Sequence, residues 1–477
     1  MCTNNTTTTK RTTLTAIAAI FLAATLVVGI GTLAVTTAVR PAYAITFGNT
    51  KNLSNNDGDS TNPQVQVSSS NVYAVWEDKT KGDGDTFFRR SSDAGNNFHS
   101  IIDLSNNAAG EAKGIVPDQK IAKIGNNVYV VWSENGDVFF KRSTDNGAHF
   151  GSTINLSNDE DNSTDPQIAA VGNNVYIAWL NHDSDDDHLI FFKRSTNEGA
   201  SFGSVKILSD IVEEFLAGSR DFHIAATGNN VYVAWIGTGE DHGQCPETGD
   251  LEFVRSTNSG SSFGSVNRIV QDEICTPEGL DLEATGSNVY LTWSDRPSES
   301  ACDINSRCND ILFVKSTDNG AHFGSIKNLS NNDGNSNPGS VNPQMDLHGS
   351  NVYIVWQDNT LGNFDILFRV STNNGSTFAS TKNLSNNAGN SINAQISSVS
   401  DAVRIVWQDD TTTLGDSDIL FKASGNEGAT FGSTKNLSNN DGDSSVPQII
   451  SSGDNIYVVW QDDTPGNFDI FFKKGVD

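Results

Sequence analysis

Ten residues, STDNGAHFGS, stand at 143–152 and recur letter for letter at 316–325. They belong to a pattern, Ser-x-Asp/Asn-x-Gly-x-x-Phe, that appears seven times at spacings of 52 to 61 residues. A period of that size marks stacked or radial repeat architectures. It also explains how a 477-residue chain can pass the ~250–300 residues at which a single core stops growing, since each repeat packs on its neighbours.

A second signature runs out of phase with the first. NVYAVW (71–76), NVYVVW (127–132), NVYIAW (174–179) and NVYVAW (230–235) continue as NVYLTW, NVYIVW, AVRIVW and NIYVVW, and all eight tryptophans end one of these runs. Val, Tyr, Ile and Trp without helical spacing predict strands buried on both faces. A second strand such as DIFFKK (469–474) follows, then the Ser-x-Asp box as a turn, a short strand ending Asn-Leu-Ser, an acidic loop and a further strand opening on residues such as Pro-Gln-Ile. The unit is four antiparallel strands, a to d. Eight tryptophan strands meet only seven boxes, and TFGNTKNLSNNDGDS (46–60) nearly duplicates TFGSTKNLSNNDGDS (430–444). The front of the domain is thus an orphan strand d, and its end lacks one. Pairing the two closes a ring and removes the sheet edges of an open array. The expectation is all-β: one eight-bladed β-propeller over 45–477, with 46–53 paired to 469–474.

The box Ser143-x-Asp145-x-Gly147-x-x-Phe150 and its copies resemble the Asp-box, or BNR, repeat of the sialidase superfamily, over nearly all of 46–477. The resemblance implies that Asp93, Asp145, Asn197, Asn258, Asp318, Asn373 and Asn426 are structural residues of c–d turns, remote from any active site. A sialidase would also need an arginine triad, a tyrosine nucleophile with a glutamate, and an aspartate acid/base. The seven tyrosines after residue 44 all occupy one slot of strand b, and Arg90, Arg142, Arg194 and Arg255 sit at the box end of strand c. The Phe-Arg-Ile-Pro motif is absent. A non-sialidase member is therefore expected, with no catalytic residue assigned. Gly-x-Ser-x-Gly at Gly199–Gly203 and Gly260–Gly264 lies inside box turns, where a nucleophile elbow cannot form.

Residues 1–44 read as an export signal, either a cleaved signal peptide or a retained anchor. Lys10 and Arg11 precede an uncharged run from Leu14 to Val39 and then Ala42-Tyr43-Ala44. The protein is expected to be secreted or displayed at the cell surface, monomeric, touching membrane only through that segment. Without Lys10, Arg11 and Arg40, 27 basic residues face 58 acidic ones, a balance of −31. That excludes nucleic acid as a phosphate-bound partner and favours cations or basic partners.

About 48 of the acids fall in b–c and d–a loops, on the face opposite the boxes, among them Glu77, Asp78, Asp83, Asp85, Asp462, Asp463 and Asp469. This could be a solvated rim or a set of calcium sites, since oxygen ligands with flexible spacing suit calcium. No organic cofactor is indicated. Cys245, Cys275, Cys302 and Cys308 form an even set in an oxidising compartment, and the shortest closures are Cys245–Cys275 and Cys302–Cys308. Asn-Leu-Ser at Asn52, Asn155, Asn328, Asn383 and Asn436 is either a glycosylation acceptor or simply a strand end.

Counting seven back from each Asn-Val-Tyr position finds the residue opening each innermost strand: Gln64, Lys120, Gln167, His223, Asp281, Gln344, Gln395 and Gln448. Lys120, His223 and Asp281 break the glutamine rule, and the longest loops flank the last two. His182, His188, Asp183 and Asp187 share one loop and His242 lies in another; nitrogen and oxygen donors of this kind suit zinc or copper, or acid/base chemistry near neutral pH. The expected role is a binding module for a cell-envelope glycan, a cation or a surface protein. The alternative is a glycoside hydrolase of sialidase-like ancestry with a rebuilt site.

Overall fold

A computed structural model describes residues 45–82, 84–105, 118–158, 161–182, 188–209, 221–238, 248–275, 278–295, 309–331, 339–413 and 416–477. It is a ring of eight antiparallel sheets, each ordered a-b-c-d from the innermost strand outward. Blade 1 runs Ser60–Ser68, Asn71–Asp78, Asp85–Ser91 and Ile102–Asp103, and later blades repeat the order. The last sheet is completed by the front of the domain: Thr46 and Phe47 pair with Val476 and Gly475, and Lys51 and Asn52 pair with Phe472 and Phe471. The expected closure is therefore observed, reaching two residues further along strand c than the sequence predicted. Among the described residues no helix is long and apolar enough to cross a membrane.

The core is not one body but eight clusters, each shared by two adjacent blades. Trp132 of blade 2 packs with Tyr73, Val75, Phe88 and Leu104 of blade 1, and Trp76 closes the circle on Tyr457, Val459, Ile470 and Phe472 of blade 8. All eight tryptophans are fully buried, as a strand covered on both faces requires.

The box turns explain their own spelling. Ser143 Oγ donates to Asp145 Oδ1 (2.7 Å) and accepts from Gly147 N (2.8 Å), while Asp145 Oδ1 accepts from His149 N (2.9 Å). Gly147 sits at φ +75°, and a Cβ there would lie 2.6 Å from the Phe88 ring of the preceding blade. Both demands exclude a side chain. Phe150 then meets Phe88 edge-on at 4.9 Å. Each box is thus a clasp between neighbouring blades. Strand d is only two residues long in most blades, but in blade 4 it spans Asn267–Cys275.

Candidate functional site

The acids opposite the boxes are not a uniform solvated rim. Glu77, Asp78, Asp85, Asp462 and Asp469 are buried; Glu77 accepts from Thr61 Oγ1 and Asn62 Nδ2, and two repeating networks account for the aspartates. At the end of strand b, Asp462 accepts from Trp460 Nε1 (3.1 Å), Asn440 Nδ2 (2.6 Å), Ser444 Oγ (2.6 Å) and Thr464 N (3.0 Å). At the start of strand c, Asp469 accepts from Asn52 Nδ2 and Ser54 Oγ, each at 2.6 Å. The same pair of bonds joins Asn383 and Ser385 to Asp365, both at 2.7 Å. Buried carboxylates are tolerated when hydrogen-bonded in this way. Asn-Leu-Ser is therefore a structural motif, its amide nitrogen donating to a buried aspartate at Asn52, Asn328 and Asn383.

Blade 4 reverses this wiring. Gly237 stands where strand b ends in a carboxylate in six blades and in Asn181 in blade 3, and Glu252 of strand c faces Trp235, at a position filled by Phe or Leu in the other seven blades. Arg268, on the long strand d, lies 3.1 Å from Glu252 and 3.4 Å from Asp250. Burial raises the Glu252 carboxyl above the usual glutamate range, opposed by Arg268.

At the channel mouth, a β-bulge opens strand a in six blades, with one residue at positive φ: Asn62, Asp165, Gly279, Asn342, Asn393 and Val446. The glutamines and Asp281 are the first residues past it. The bulge amide is clamped from the preceding blade, Asn62 N by Gln461 (3.0 Å) and Asn393 N by Gln357 (3.1 Å). In blade 5 the clamp on Gly279 N is instead Asp221, at 2.6 Å.

The structure brings His223 and Asp281 together, with Nδ1 3.8 Å from Oδ1. The other oxygen of Asp281 accepts the Met345 amide of blade 6 at 2.7 Å. Two further acids join this pair. Glu283 lies two residues along the same strand face as Asp281, and Asp346 occupies the same slot in blade 6. Asp346 accepts from the amides of Leu347 (2.9 Å) and, across the next blade boundary, Ser398. Burial raises all three carboxyls; Glu283 is pushed well above the glutamate range, because Asp281 and Asp346 add their repulsion to the burial. Neighbouring carboxyls raised to different degrees are the kind of arrangement in which donor and acceptor roles separate.

Glu283 and Asp346 were missed by sequence reasoning, although a signal existed. Their slot reads Gln66, Ala122, Ala169, Ala225, Glu283, Asp346, Ser397 and Ile450 around the ring, so only two adjacent blades place an acid there.

The remaining predicted residues are placed as follows. Lys120 opens strand a of blade 2 and pairs with Asp118 at 2.7 Å. His182 Nε2 lies 3.0 Å from Thr164 Oγ1, and His188 is paired to His182 through the backbone ladder of blade 3. Asp83, Asp183, Asp187, His242, Cys245, Cys302 and Cys308 lie outside the described residues, and Cys275 is described only by its backbone place opposite Thr248. Among the described residues no group of three or more His, Cys, Asp or Glu is arranged to hold a metal ion.

No family model matches the sequence, and no curated protein matches it. Solved structures do. The polysaccharide lyase Uly1 superposes with a TM-score of 0.51 at 10% identity, over 87% of this chain and 89% of that one. A Hadza microbial sialidase gives 0.36 at 13% identity, over 73% and 76%. The intramolecular trans-sialidase from Ruminococcus gnavus gives 0.35 at 12%, over 86% and 93%. At such identities the likeness to the lyase is one of fold. With a box on seven of its c–d turns, the chain is an eight-bladed propeller, a fold it shares with that lyase.

Proposed function

We propose that this sialidase-type propeller is an exported binding module that takes a carbohydrate at the channel mouth of blades 4 to 6. The observation that carries the reading is the convergence of His223, Asp281, Glu283 and Asp346 on consecutive innermost strands, at slots that the rest of the ring fills with glutamine, one lysine (Lys120), or small and apolar residues. Carboxylates accept from sugar hydroxyls, and a protonated carboxyl or an imidazole can donate to ring and glycosidic oxygens. The fold shared with a polysaccharide lyase is compatible with such a ligand.

A glycan array and a panel of fluorogenic glycosides, run on one preparation, test the proposal. Binding without turnover supports it, and loss of that binding in the His223→Gln/Asp281→Gln double variant places the ligand. Binding that survives the double change moves the site elsewhere. Sugar release beyond stoichiometry supports the second reading, a glycoside hydrolase with a rebuilt site, which the grouping of Glu283, Asp281 and Asp346, with the Glu283 carboxyl raised by burial and by its acidic neighbours, favours. Calcium at the remaining acidic loops is tested by the melting temperature with and without added calcium, because a ligand of the native state raises it by mass action.

A further inference from the structure

Seven blades carry an unbroken box, and blade 8 carries one divided between two distant segments. Gly475 aligns with the box serine by its place opposite Ile456, as Ser143 stands opposite Val128. Phe47 takes the place of the box phenylalanine: it meets Phe421 of blade 7 edge-on at 5.0 Å, as Phe150 meets Phe88 at 4.9 Å. The amides that follow agree. Gly48 N bonds Lys474 O and Leu53 N bonds Ile470 O, at 2.9 and 2.7 Å, the distances by which Gly151 and Leu156 bond Arg142 and Val138. No turn joins the halves, since Phe47 and Gly475 stand at opposite ends of the domain. Asp477 ends the first half, and its amide bonds Asp454 O at 3.0 Å, a bond made elsewhere by the residue after the box acid, as from Asn146 to Asn126.

One further departure coincides with this one. In seven blades the strand-b slot three residues before the tryptophan holds a tyrosine whose ring stacks on strand c, and in blade 1 its hydroxyl reaches the next blade's box, Tyr73 Oη lying 3.4 Å from Asn146 Oδ1. In blade 7, the blade that faces the divided box, the slot holds Arg404. Its side chain is 1% exposed, ion-paired to Asp477, itself 5% exposed, and directed at Gly453 O. An intact box satisfies its acid with the serine and amides of its own turn. In the divided box Gly475 stands in place of that serine, and Arg404 supplies the donors from across the blade boundary.

We infer that Arg404 and Asp477 form an electrostatic lock that replaces the missing turn, making the seam of blades 7, 8 and 1 the release point of the ring. Opening there needs no covalent turn to be carried along, so local unfolding starts at the seam. An unpaired buried arginine would drive it further open.

Hydrogen exchange followed by mass spectrometry on the full chain tests this. In the unaltered protein the amides of Gly48 and Leu53 are expected to exchange several-fold faster than Gly151 and Leu156, their counterparts on an unbroken box. Equal rates would overturn the assignment of the release point, and this arm needs no variant to fold. Arg404→Ala and Asp477→Asn should each speed the seam amides at least ten-fold further, with blades 2 to 5 unchanged and the double variant no faster than the faster single. Tyr353→Phe, at the same slot of blade 6, should leave the seam as it was. Seam rates unchanged in both single variants, or a rise spread evenly around the ring, would overturn the lock.

Discussion

Blades 6, 7, 8 and 1 and blades 3 to 5 are cut from one pattern and use it differently. In the first arc glutamine opens every innermost strand, and three of its tryptophans, Trp76, Trp407 and Trp460, bond a carboxylate two residues on. In the second arc the innermost strands open on Gln167, His223 and Asp281, the carboxylate beside Trp235 comes from strand c instead of strand b, and strand d of blade 4 is lengthened. The lesson is about which acids are free. A carboxylate repeated around the ring is consumed by the fold, with every oxygen spoken for. A carboxylate that appears in two adjacent blades only, such as Glu283 or Asp346, has no structural duty copied from its neighbours.

The sharpest way to break this contrast is by truncation. Asp462→Ala in the regular arc strands the buried donors of Trp460 and Ser444. It should destabilise the protein by about 3–5 kcal/mol, at ~1–3 kcal/mol for each buried donor left unpaired, read by denaturant unfolding. His223→Gln/Asp281→Gln in the other arc restores the repeat and should change stability by no more than ~1 kcal/mol while abolishing ligand binding. Comparable losses from the two changes would mean the arcs do not differ in kind.

The two faces should also respond oppositely to pH. Glu283 has its pKa raised in the folded state, so the fold holds its proton where the unfolded chain gives it up above the ordinary value of 4.5. Its contribution is present below that value and is lost as pH rises through the folded pKa. Glu283→Gln should therefore match the parent in stability below about pH 4 and exceed it increasingly on the alkaline side. Asp93, in a box, is held down to about 2 by Asn97 and Ser91. Its contribution is present above 3.8 and lost as pH falls towards 2, so Asp93→Asn should lower stability at neutral pH and converge with the parent as pH falls towards 2, flattening the acid end of the curve. Melting curves from pH 2 to 9 on both variants decide the signs. The smallest expected effect is a null mass shift: peptides containing Asn52, Asn328 and Asn383 from the native protein should carry no glycan, since each amide nitrogen is committed to a buried aspartate. A glycan at any of them would show that the Asn-Leu-Ser network is dispensable.

The architecture was legible because the repeat repeats everything that builds it. Eight tryptophans counted the blades, seven boxes counted the intact turns, and the duplicate of 46–60 at 430–444 told how the ring closes. The site was half legible. His223 and Asp281 stood out against glutamine, but the slot two residues further in carries no shared residue around the ring, so Glu283 and Asp346 break no pattern of identity there. The acidic loops misled for a physical reason. Composition places charges on a face but does not say which are bonded, and Asp462 or Asp469 looks the same in a sequence whether it faces water or a tryptophan nitrogen.

That near-duplicate has a consequence for how the ring assembles. The stretches 46–60 and 430–444 differ only at Asn49 and Ser433, so each is a competent outer strand for the strand c that belongs to the other. A folding chain meets two almost interchangeable solutions, one giving eight blades and the other a smaller ring with a segment left over, and local preference cannot choose between them. The choice falls to the few residues that are not copies. Ile45, buried against Val406 and Trp460 with its carbonyl accepting from Lys435, is one of them. A ring of copies needs such marked residues to fix the number of its blades.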